Sequence, residues 1–211
     1  MSDRRRTLLE ATLRQVPFEG WTDRALRAGA AEAGVAPMTA RRAFPGGVDD
    51  VLAYWAAESD RRMLAGLAKR DLESMRVRDR ITAAVRVRLE LNAKHREAIR
   101  MALTRAALPG RAPGAMRALW RTVDAMWRAA GDTATDYNFY TKRGLLVGVY
   151  ASTLLYWLDD KSEGFDDTWA FLDRRIADVM RVPKAIGALK KCLPDPGRVL
   201  RVLRPRRAAR G

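Results

Sequence analysis

Apolar side chains recur along this chain at helical spacing, and these stripes predict a protein built of α-helices. Near the amino terminus, Leu9 and Leu13 fall on one face of a predicted helix over residues 6–16. Near the other end, Trp169 and Ile176 belong to a second stripe of the same period. The fold class predicted from these patterns is all-α.

The amino-terminal part of the chain predicts short helices separated by turns. Thr22 suits the N-cap of a second helix that Gly34 ends, and Pro37 suits the first turn of a third helix. Asp49 and Asp50 open a fourth helix, where their charge is favourable to the helix dipole. Two short helices joined by a tight turn, between one helix and a longer one, form the helix-turn-helix arrangement that reads DNA.

The middle of the chain predicts longer helices. Residues 67–108 contain no Gly or Pro, which predicts one long helix or two in succession. Residues 85–91 alternate polar and apolar side chains as a strand would, but we interpret them as helix because turn residues are absent and the surroundings are helical. The next helix, over residues 115–130, carries Trp and Met on one stripe. Such side chains pack a core and also line adaptable apolar pockets, so both interpretations stay open.

A nearly continuous apolar run over residues 145–158 predicts a central helix that is buried all round. The run is too short to span a bilayer, which needs about 20 residues. The segment before it, residues 136–143, mixes large rings with charges, a composition that core packing alone does not explain.

The net charge of +15 raises the question of nucleic-acid binding, so the position of the charge matters. Residues 1–60 carry a net charge of −1, whereas residues 61–130 carry +11 and residues 181–211 carry +9. DNA binders depend on clustered Lys and Arg for phosphate attraction, and the helix pair offers only Arg41 and Arg42. We therefore expect no nucleic-acid partner.

Cysteine and histidine are nearly absent from this chain. Cys192 and His95 are its only examples, so we expect no disulfide framework, no metal site and no cofactor. The sequence has no phosphate loop, no dinucleotide fingerprint and no nucleophile with a matching base, which predicts a protein that is not an enzyme. The start of the chain has no apolar segment of signal-peptide length, and the composition indicates a high-GC bacterial source. A cytoplasmic location is expected.

The basic carboxyl-terminal segment, residues 182–211, combines apolar residues with cations and is broken by Pro194 and Pro196. Its apolar groups suit a bilayer interface and its cations suit anionic head groups, although a disordered basic tail fits the same composition. The predicted membrane-binding residues are Ile186, Leu189, Lys190, Lys191, Leu193, Arg198, Leu200, Arg201 and Leu203.

Two family resemblances follow from these motifs. The helix pair resembles the amino-terminal module of tetracycline-repressor-type (TetR) regulators, with Ala36, Pro37 and Met38 where those proteins carry phosphate-contacting residues. Two longer motifs, DYNFYTKRGLLVGVY at residues 136–150 and DTWAFLDRRIADVM at residues 167–180, resemble the ubiquinone biosynthesis accessory protein family, the ninth of the COQ series. The segment AFPGGVDDVLAYW also matches that family, and the resemblance spans roughly residues 5 to 190.

The second resemblance implies a TetR-like helical fold that has lost DNA binding. Residues 1–60 would form a helix-turn-helix-like module, residues 61–181 a lipid-binding bundle, and residues 182–211 a membrane-associating tail. Such proteins are non-catalytic, bind an isoprenoid quinone precursor or phospholipid, and support the di-iron hydroxylase that acts late in ubiquinone synthesis. We expect a homodimer, peripherally attached to the anionic inner membrane of a bacterium.

The resemblance also assigns residues to two sites. The partner-binding motif places the hydroxylase contact at Asp136, Tyr137, Asn138, Phe139, Tyr140 and Arg143, where Phe139 stands in a position often filled by Trp. The inward faces of the two helices around the motif give the predicted lipid-binding residues, which are Trp120, Val123, Trp127, Val147, Tyr150, Ala151 and Leu154.

Two alternative functions remain open at this point. A TetR-type transcriptional regulator would use the same apolar cavity as an effector site and would bind DNA as a dimer. A structural interaction protein would keep the fold without any lipid in its core.

Overall fold

A computed structural model describes residues 2–133 and 137–192, and this part of the chain contains helices and no strands. The all-α prediction is confirmed. In chain order the helices are α1 Ser2–Glu19, α2 Asp23–Glu32, α3 Pro37–Ala43, α4 Val48–Leu67, α5 Val77–Glu90, α6 Arg96–Ala106, α7 Ala112–Ala129, α8 Tyr137–Asp159 and α9 Asp166–Cys192, with short 3-10 turns at Ala93–His95 and Glu163–Phe165.

Local signals set the ends of the first helices. The Thr22 hydroxyl accepts a hydrogen bond from the Ala25 amide at 3.3 Å and caps α2, as predicted. Helix α1 ends later than predicted, at Glu19, because Pro17 falls in its last turn and is accommodated there. Gly20, with φ of +67°, then ends the helix, because a left-handed conformation suits glycine.

The amino-terminal helices α1 to α3 and the larger bundle share α4 and α6. Helix α4 buries Val51 in the core of the first module and Met63 in the core of the bundle, so one helix crosses the predicted boundary at residue 60. The Trp21 indole donates to the Ala98 carbonyl of α6 at 2.8 Å, which joins α6 to the first module. The predicted boundary at residue 60 therefore does not separate the two cores, because α4 contributes to both of them.

One long helix or two in succession were predicted over residues 67–108, and the structure has two, α5 and α6. They begin later than predicted, because residues 68–76 form a loop between α4 and α5. The Arg80 guanidinium stabilises this loop by donating to the carbonyls of Met75 at 3.0 Å and Glu73 at 3.2 Å, and it also reaches the Ala130 carbonyl at 3.0 Å. Carbonyls that would otherwise lack a partner are thereby satisfied by a side chain from α5. The alternating residues 85–91 lie at the end of α5, as helix was predicted there.

Helix α8 is central, but it is not buried all round as predicted. Leu146, Val149 and Trp157 lie in the core of the bundle. On its other side Leu155 and Tyr156 are exposed. The apolar run over residues 145–158 therefore covers both a core face and an outward face, and it contains too few polar residues to mark the exposed side.

A buried carboxylate joins α8 to α9. Asp160 accepts hydrogen bonds from the amides of Ser162 at 2.7 Å and Thr168 at 2.9 Å, and from both of their hydroxyls. Burial raises the pKa of Asp160, but these hydrogen bonds outweigh it and lower the pKa from 3.8 to about 2. Asp160 thus satisfies the Thr168 amide in the first turn of α9. Helix α9 then continues past the predicted bundle end at residue 181, to Cys192.

Candidate functional site

A cavity of about 690 Å³ opens between α4, α5, α6, α7 and α8. This volume lies within the range of small-molecule pockets, about 300–1,000 Å³. Its walls are mostly apolar, and α4 and α6 contribute Leu52, Ala56, Ile99 and Leu103. Alanine occupies many of the lining positions, and its small side chain leaves space between the helices unfilled.

One side of the cavity is polar. Arg88 of α5 is buried, and its Nη2 donates to the Thr122 hydroxyl at 3.3 Å and pairs with Asp60 at 3.3 Å. Its Nε and Nη1 are buried without a hydrogen-bond partner among the described residues. Burial raises the pKa of Asp60, while the charge of Arg88 opposes that rise. Ser59 and Asn92, hydrogen-bonded at 3.1 Å, complete this polar side.

The mouth of the cavity is formed by the loop before α7 and by the first turns of that helix. Every residue from 108 to 117 is exposed, and residues 110 to 117 all line the cavity. At the edge of the mouth, Asp49 pairs with Arg105 at 2.9 Å and also with Arg111. Met116 belongs to the stripe for which core packing and pocket lining were both left open, and it is exposed at this mouth and lines the cavity.

The predicted lipid-binding residues divide into two groups. Tyr150, Ala151 and Leu154 line the cavity from α8. The other four do not line it. Val123, Trp127 and Val147 pack in or against the bundle core, and Trp120 lies beside Tyr140.

The sequence analysis missed the cavity walls supplied by α4 and α6. On α4 the signal was present as alternating large and small apolar residues, Leu52, Ala53 and Ala56. Such a face is equally typical of close helix packing, and only the position of the neighbouring helices decides between the two.

The aromatic segment before α8 contains an exposed ring and a buried cation. Tyr140 is 64% exposed and lies beside Trp120, with 6.5 Å between ring centroids. Phe139 contacts Tyr140 edge-to-face at 5.0 Å. Asp136 lies outside the described residues, as do the side chains of Tyr137 and Asn138.

Arg143, predicted to bind a partner, is only 1% exposed and lies inside the bundle. Its Nε contacts Asp124 at 2.7 Å and its Nη1 contacts Asp132 at 3.0 Å. The guanidinium also stacks on the Phe139 ring, 3.5 Å from the centroid. Burial raises the pKa of Asp124, but hydrogen bonds from Arg143 and Arg128 outweigh it and the pKa is lowered. Arg143 therefore holds the aromatic segment in place from beneath.

The predicted membrane-binding residues lie at the end of the chain. Ile186, Leu189, Lys190 and Lys191 belong to α9, but their side chains lie outside the described part of the structure. The remaining residues of this prediction lie outside the described residues altogether, and they are Leu193, Arg198, Leu200, Arg201 and Leu203.

The described residues contain neither a membrane-spanning helix nor a cluster of metal-ligating side chains. None of the helices combines the length and the apolar character needed to cross a membrane. Nor do His, Cys, Asp and Glu side chains cluster within residues 2–133 and 137–192 in a way that could hold a metal ion.

The helical module followed by a bundle around an apolar cavity defines a protein of TetR-like fold. A TetR transcriptional regulator from Nitrosomonas europaea is similar in structure, with a TM-score of 0.69 over 84% of this chain and 98% of that one. The sequence identity is 20%, so this likeness shows the fold alone. A sequence model of the COQ9 family matches residues 112–183. The chain belongs to the COQ9 family.

Curated relatives agree with this assignment. The ubiquinone biosynthesis protein COQ9 of Rattus norvegicus is 34% identical over 185 residues, covering 83% of this chain and 58% of the relative. The proteins of the same name from Homo sapiens and Drosophila melanogaster are 32% and 31% identical, over 83% and 84% of this chain and 57% and 56% of those relatives. The chain thus spans somewhat more than half the length of these relatives. These relatives are named as ubiquinone biosynthesis proteins.

The predicted location is wrong. The sequence analysis placed the protein in a bacterial cytoplasm and at a bacterial inner membrane. The relatives from rat, cow and human are named as mitochondrial proteins, which contradicts that location. The bacterial source had been inferred from composition alone, and composition does not report on a compartment.

Proposed function

We propose that this protein is a non-catalytic lipid-binding accessory protein of ubiquinone biosynthesis. It takes an isoprenoid quinone precursor into the cavity and presents it to the di-iron hydroxylase of the pathway. The apolar cavity of about 690 Å³ is the observation that carries this proposal. A flexible isoprenoid chain is apolar along its whole length, so burial against Leu52, Ile99, Leu103 and Leu154 would stabilise it by about 25 cal/mol per Å² removed from water.

The polar side of the cavity supports a ligand that carries oxygen atoms. Buried N–H groups without partners cost about 1–3 kcal/mol each, and the two such groups of Arg88 gain from a ligand oxygen. A quinone ring offers carbonyl and methoxy oxygens, and a phospholipid offers phosphate and ester oxygens. Both ligand classes combine an oxygenated head with an apolar tail, as the cavity combines Arg88 with apolar walls.

The experiment that tests lipid binding is organic extraction of purified protein followed by mass spectrometry. A stoichiometric isoprenoid quinone or phospholipid is expected. The variant Ala56→Phe/Ala151→Phe narrows the cavity from two walls and should lower the lipid content several-fold. The control Ala31→Phe/Ala36→Phe adds the same rings at exposed positions of the amino-terminal module and should leave the content unchanged. Equal lipid content in both variants, or an empty extract from the parent chain, would refute the proposal.

The proposed hydroxylase contact is the aromatic segment around Tyr140. An exposed Tyr supported by a second ring suits a protein interface, where large aromatic side chains supply much of the binding energy. Tyr140→Ala should weaken hydroxylase binding by at least about 2 kcal/mol if the ring is a hot spot. Tyr156→Ala is the matched control, because Tyr156 is exposed on the same helix and stacks on Phe171 instead. Unchanged binding by a folded Tyr140→Ala variant would contradict the assignment.

Self-association is proposed on the outward face of α8. Gly144 and Gly148 lie one turn apart on this face, where both are exposed and have open space above them. Small residues such as these allow the close approach of a second copy of the helix. Light scattering should report a homodimer, and Gly148→Trp should convert it to a monomer.

A transcriptional regulator is the second candidate, because an apolar cavity of this size would also suit an effector site. Against it, Met38 lies exposed on α3, where the regulators carry residues that contact phosphates, and residues 1–60 carry a net charge of −1. A salt-dependent, sequence-selective mobility shift with DNA would favour this candidate over lipid delivery.

A further inference from the structure

The rim of the cavity exposes an unusual concentration of apolar side chains. We call residues 108–117 together with Leu155 the mouth surface. Leu108, Met116 and Leu155 are between 53% and 58% exposed, and Met116 and Leu155 also line the cavity. Large exposed side chains that gather in one place mark a surface that contacts another apolar phase or molecule. The mouth surface is therefore an interaction surface continuous with the cavity.

The charges around this surface are predominantly positive. Four arginines line the cavity near its mouth against a single acid, Asp49, so the net charge of the rim is +3. Asp49 already pairs with Arg105 and Arg111. Within the part of the chain that the structure describes, no carboxylate lies within ion-pair distance of Arg117. Arg121 is the fourth arginine that lines the cavity near its mouth.

The combination of apolar side chains with surplus cations fits one class of partner. We infer that the mouth surface docks on an anionic lipid bilayer, with the cavity opening toward the membrane. Leu108 and Met116 enter the interface between head groups and acyl chains, while the arginines meet anionic head groups, each cation contributing about 1 kcal/mol. A lipid can then pass between bilayer and cavity without crossing water.

A protein partner fits the same surface less well. Protein interfaces draw most of their energy from Trp, Tyr and Arg at a well-packed centre. Residues 108–117 contain no aromatic side chain and six of the ten are Ala, Gly or Pro. A bilayer needs no shape complementarity, so it accepts this composition. The mouth surface is also separate from the tail to which the sequence analysis assigned membrane binding.

Vesicle co-sedimentation of the full chain tests the inference. The variant Met116→Ser/Arg117→Glu alters the mouth surface, and Met38→Ser/Arg41→Glu is its matched control on α3, with the same substitutions at exposed positions. On vesicles of phosphatidylcholine with phosphatidylglycerol, the mouth variant should bind about tenfold more weakly or worse, and the control should bind like the parent chain. Equal binding by both variants would overturn the inference, as would a defect confined to truncation after Cys192.

A fluorescent probe gives a second readout that does not depend on the mouth variant folding. Met116→Cys and, separately, Met38→Cys are made in a Cys192→Ser background and labelled with the dye NBD. Addition of anionic vesicles should shift the emission of the Met116 probe to the blue and raise its intensity, while the Met38 probe stays unchanged. A Met116 probe that remains in water despite vesicle binding would place the contact elsewhere and refute docking at the mouth.

The inference rests on the proposed function for its purpose, because only a protein that exchanges lipid gains from a mouth that faces a bilayer. The two are nevertheless tested separately. Retained lipid in the extract together with normal vesicle binding by the mouth variant would refute docking and leave lipid binding intact. An empty extract together with weakened vesicle binding by the mouth variant would refute lipid binding and leave docking intact.

Discussion

Replacement of Arg143 by Met tests whether the aromatic segment is held from beneath by buried charge. The change removes the cation that joins Asp124 on α7 to Asp132 in the turn before α8. It also removes the guanidinium stacked on Phe139. Met keeps an unbranched apolar stem, so the loss is mainly one of charge and hydrogen bonds.

The expected loss of unfolding free energy depends on which cations still pair with Asp124 and Asp132 in the variant. Removal of one partner from a buried ion pair costs about 3–5 kcal/mol, because the other charge is left uncompensated. Here Asp124 keeps Arg128 at 2.8 Å and Asp132 keeps Lys142 at 2.7 Å. We therefore expect a smaller loss of unfolding free energy, about 2–4 kcal/mol. For a chain of this size that loss lowers the melting temperature by about 5–12 °C.

Urea unfolding followed by circular dichroism measures this loss. Arg128→Met is the control, because Arg128 binds the same Asp124 from the surface with its side chain 69% exposed. An exposed pair of this kind contributes about 0–1 kcal/mol. Equal destabilisation by the two variants would refute the argument that burial makes the Arg143 pairs strong. A stable Arg143→Met variant that nevertheless loses hydroxylase binding would show direct contact with the partner instead.

Two further stability predictions concern the junctions of the fold. The folded state lowers the pKa of Asp160 to about 2. Its contribution to the free energy of unfolding is therefore present above pH 4 and is lost as the pH falls toward 2. In urea unfolding at a series of pH values, the Asp160→Asn variant should not show this decrease in unfolding free energy. The control Asp159→Asn, at an exposed neighbouring residue, should still show it. Gly29→Ala should cost about 1–3 kcal/mol, since the new Cβ would lie 2.7 Å from the Thr12 amide nitrogen. Gly114→Ala meets no atom within 4 Å and should not lower the melting temperature; equal losses for the two glycine variants would contradict the packing argument.

Helix positions were predictable where the signal lies in neighbouring residues. Thr22 caps α2 and Pro37 opens α3 because their effects act on backbone groups within one turn. The loop at residues 68–76 was not predictable in this way. It is held by Arg80, whose guanidinium also reaches the Ala130 carbonyl fifty residues further along, and no local pattern encodes that contact.

The residues that line the cavity could likewise be predicted only in part from the sequence. Tyr150 and Leu154 share one face of a predicted helix, and in the structure both line the cavity. Trp127 was assigned from the predicted inward face of its helix, yet its indole donates to the Lys142 carbonyl at 3.1 Å and packs against the core. Apolar stripes predict which face is covered by protein. They do not predict where two buried helix faces leave a gap between them, and a cavity is such a gap.

The positions of the mouth and the aromatic segment connect the two proposals. Met116 and Trp120 lie four residues apart on α7, so their side chains share one face of that helix. The Trp120 ring in turn lies beside Tyr140, with 6.5 Å between the centroids. A hydroxylase seated on Tyr140 would therefore stand next to the mouth, and under the proposed docking it would also stand next to the membrane. The head group of a lipid leaving the cavity would then have only a short path to the enzyme, while its tail remains against the apolar walls.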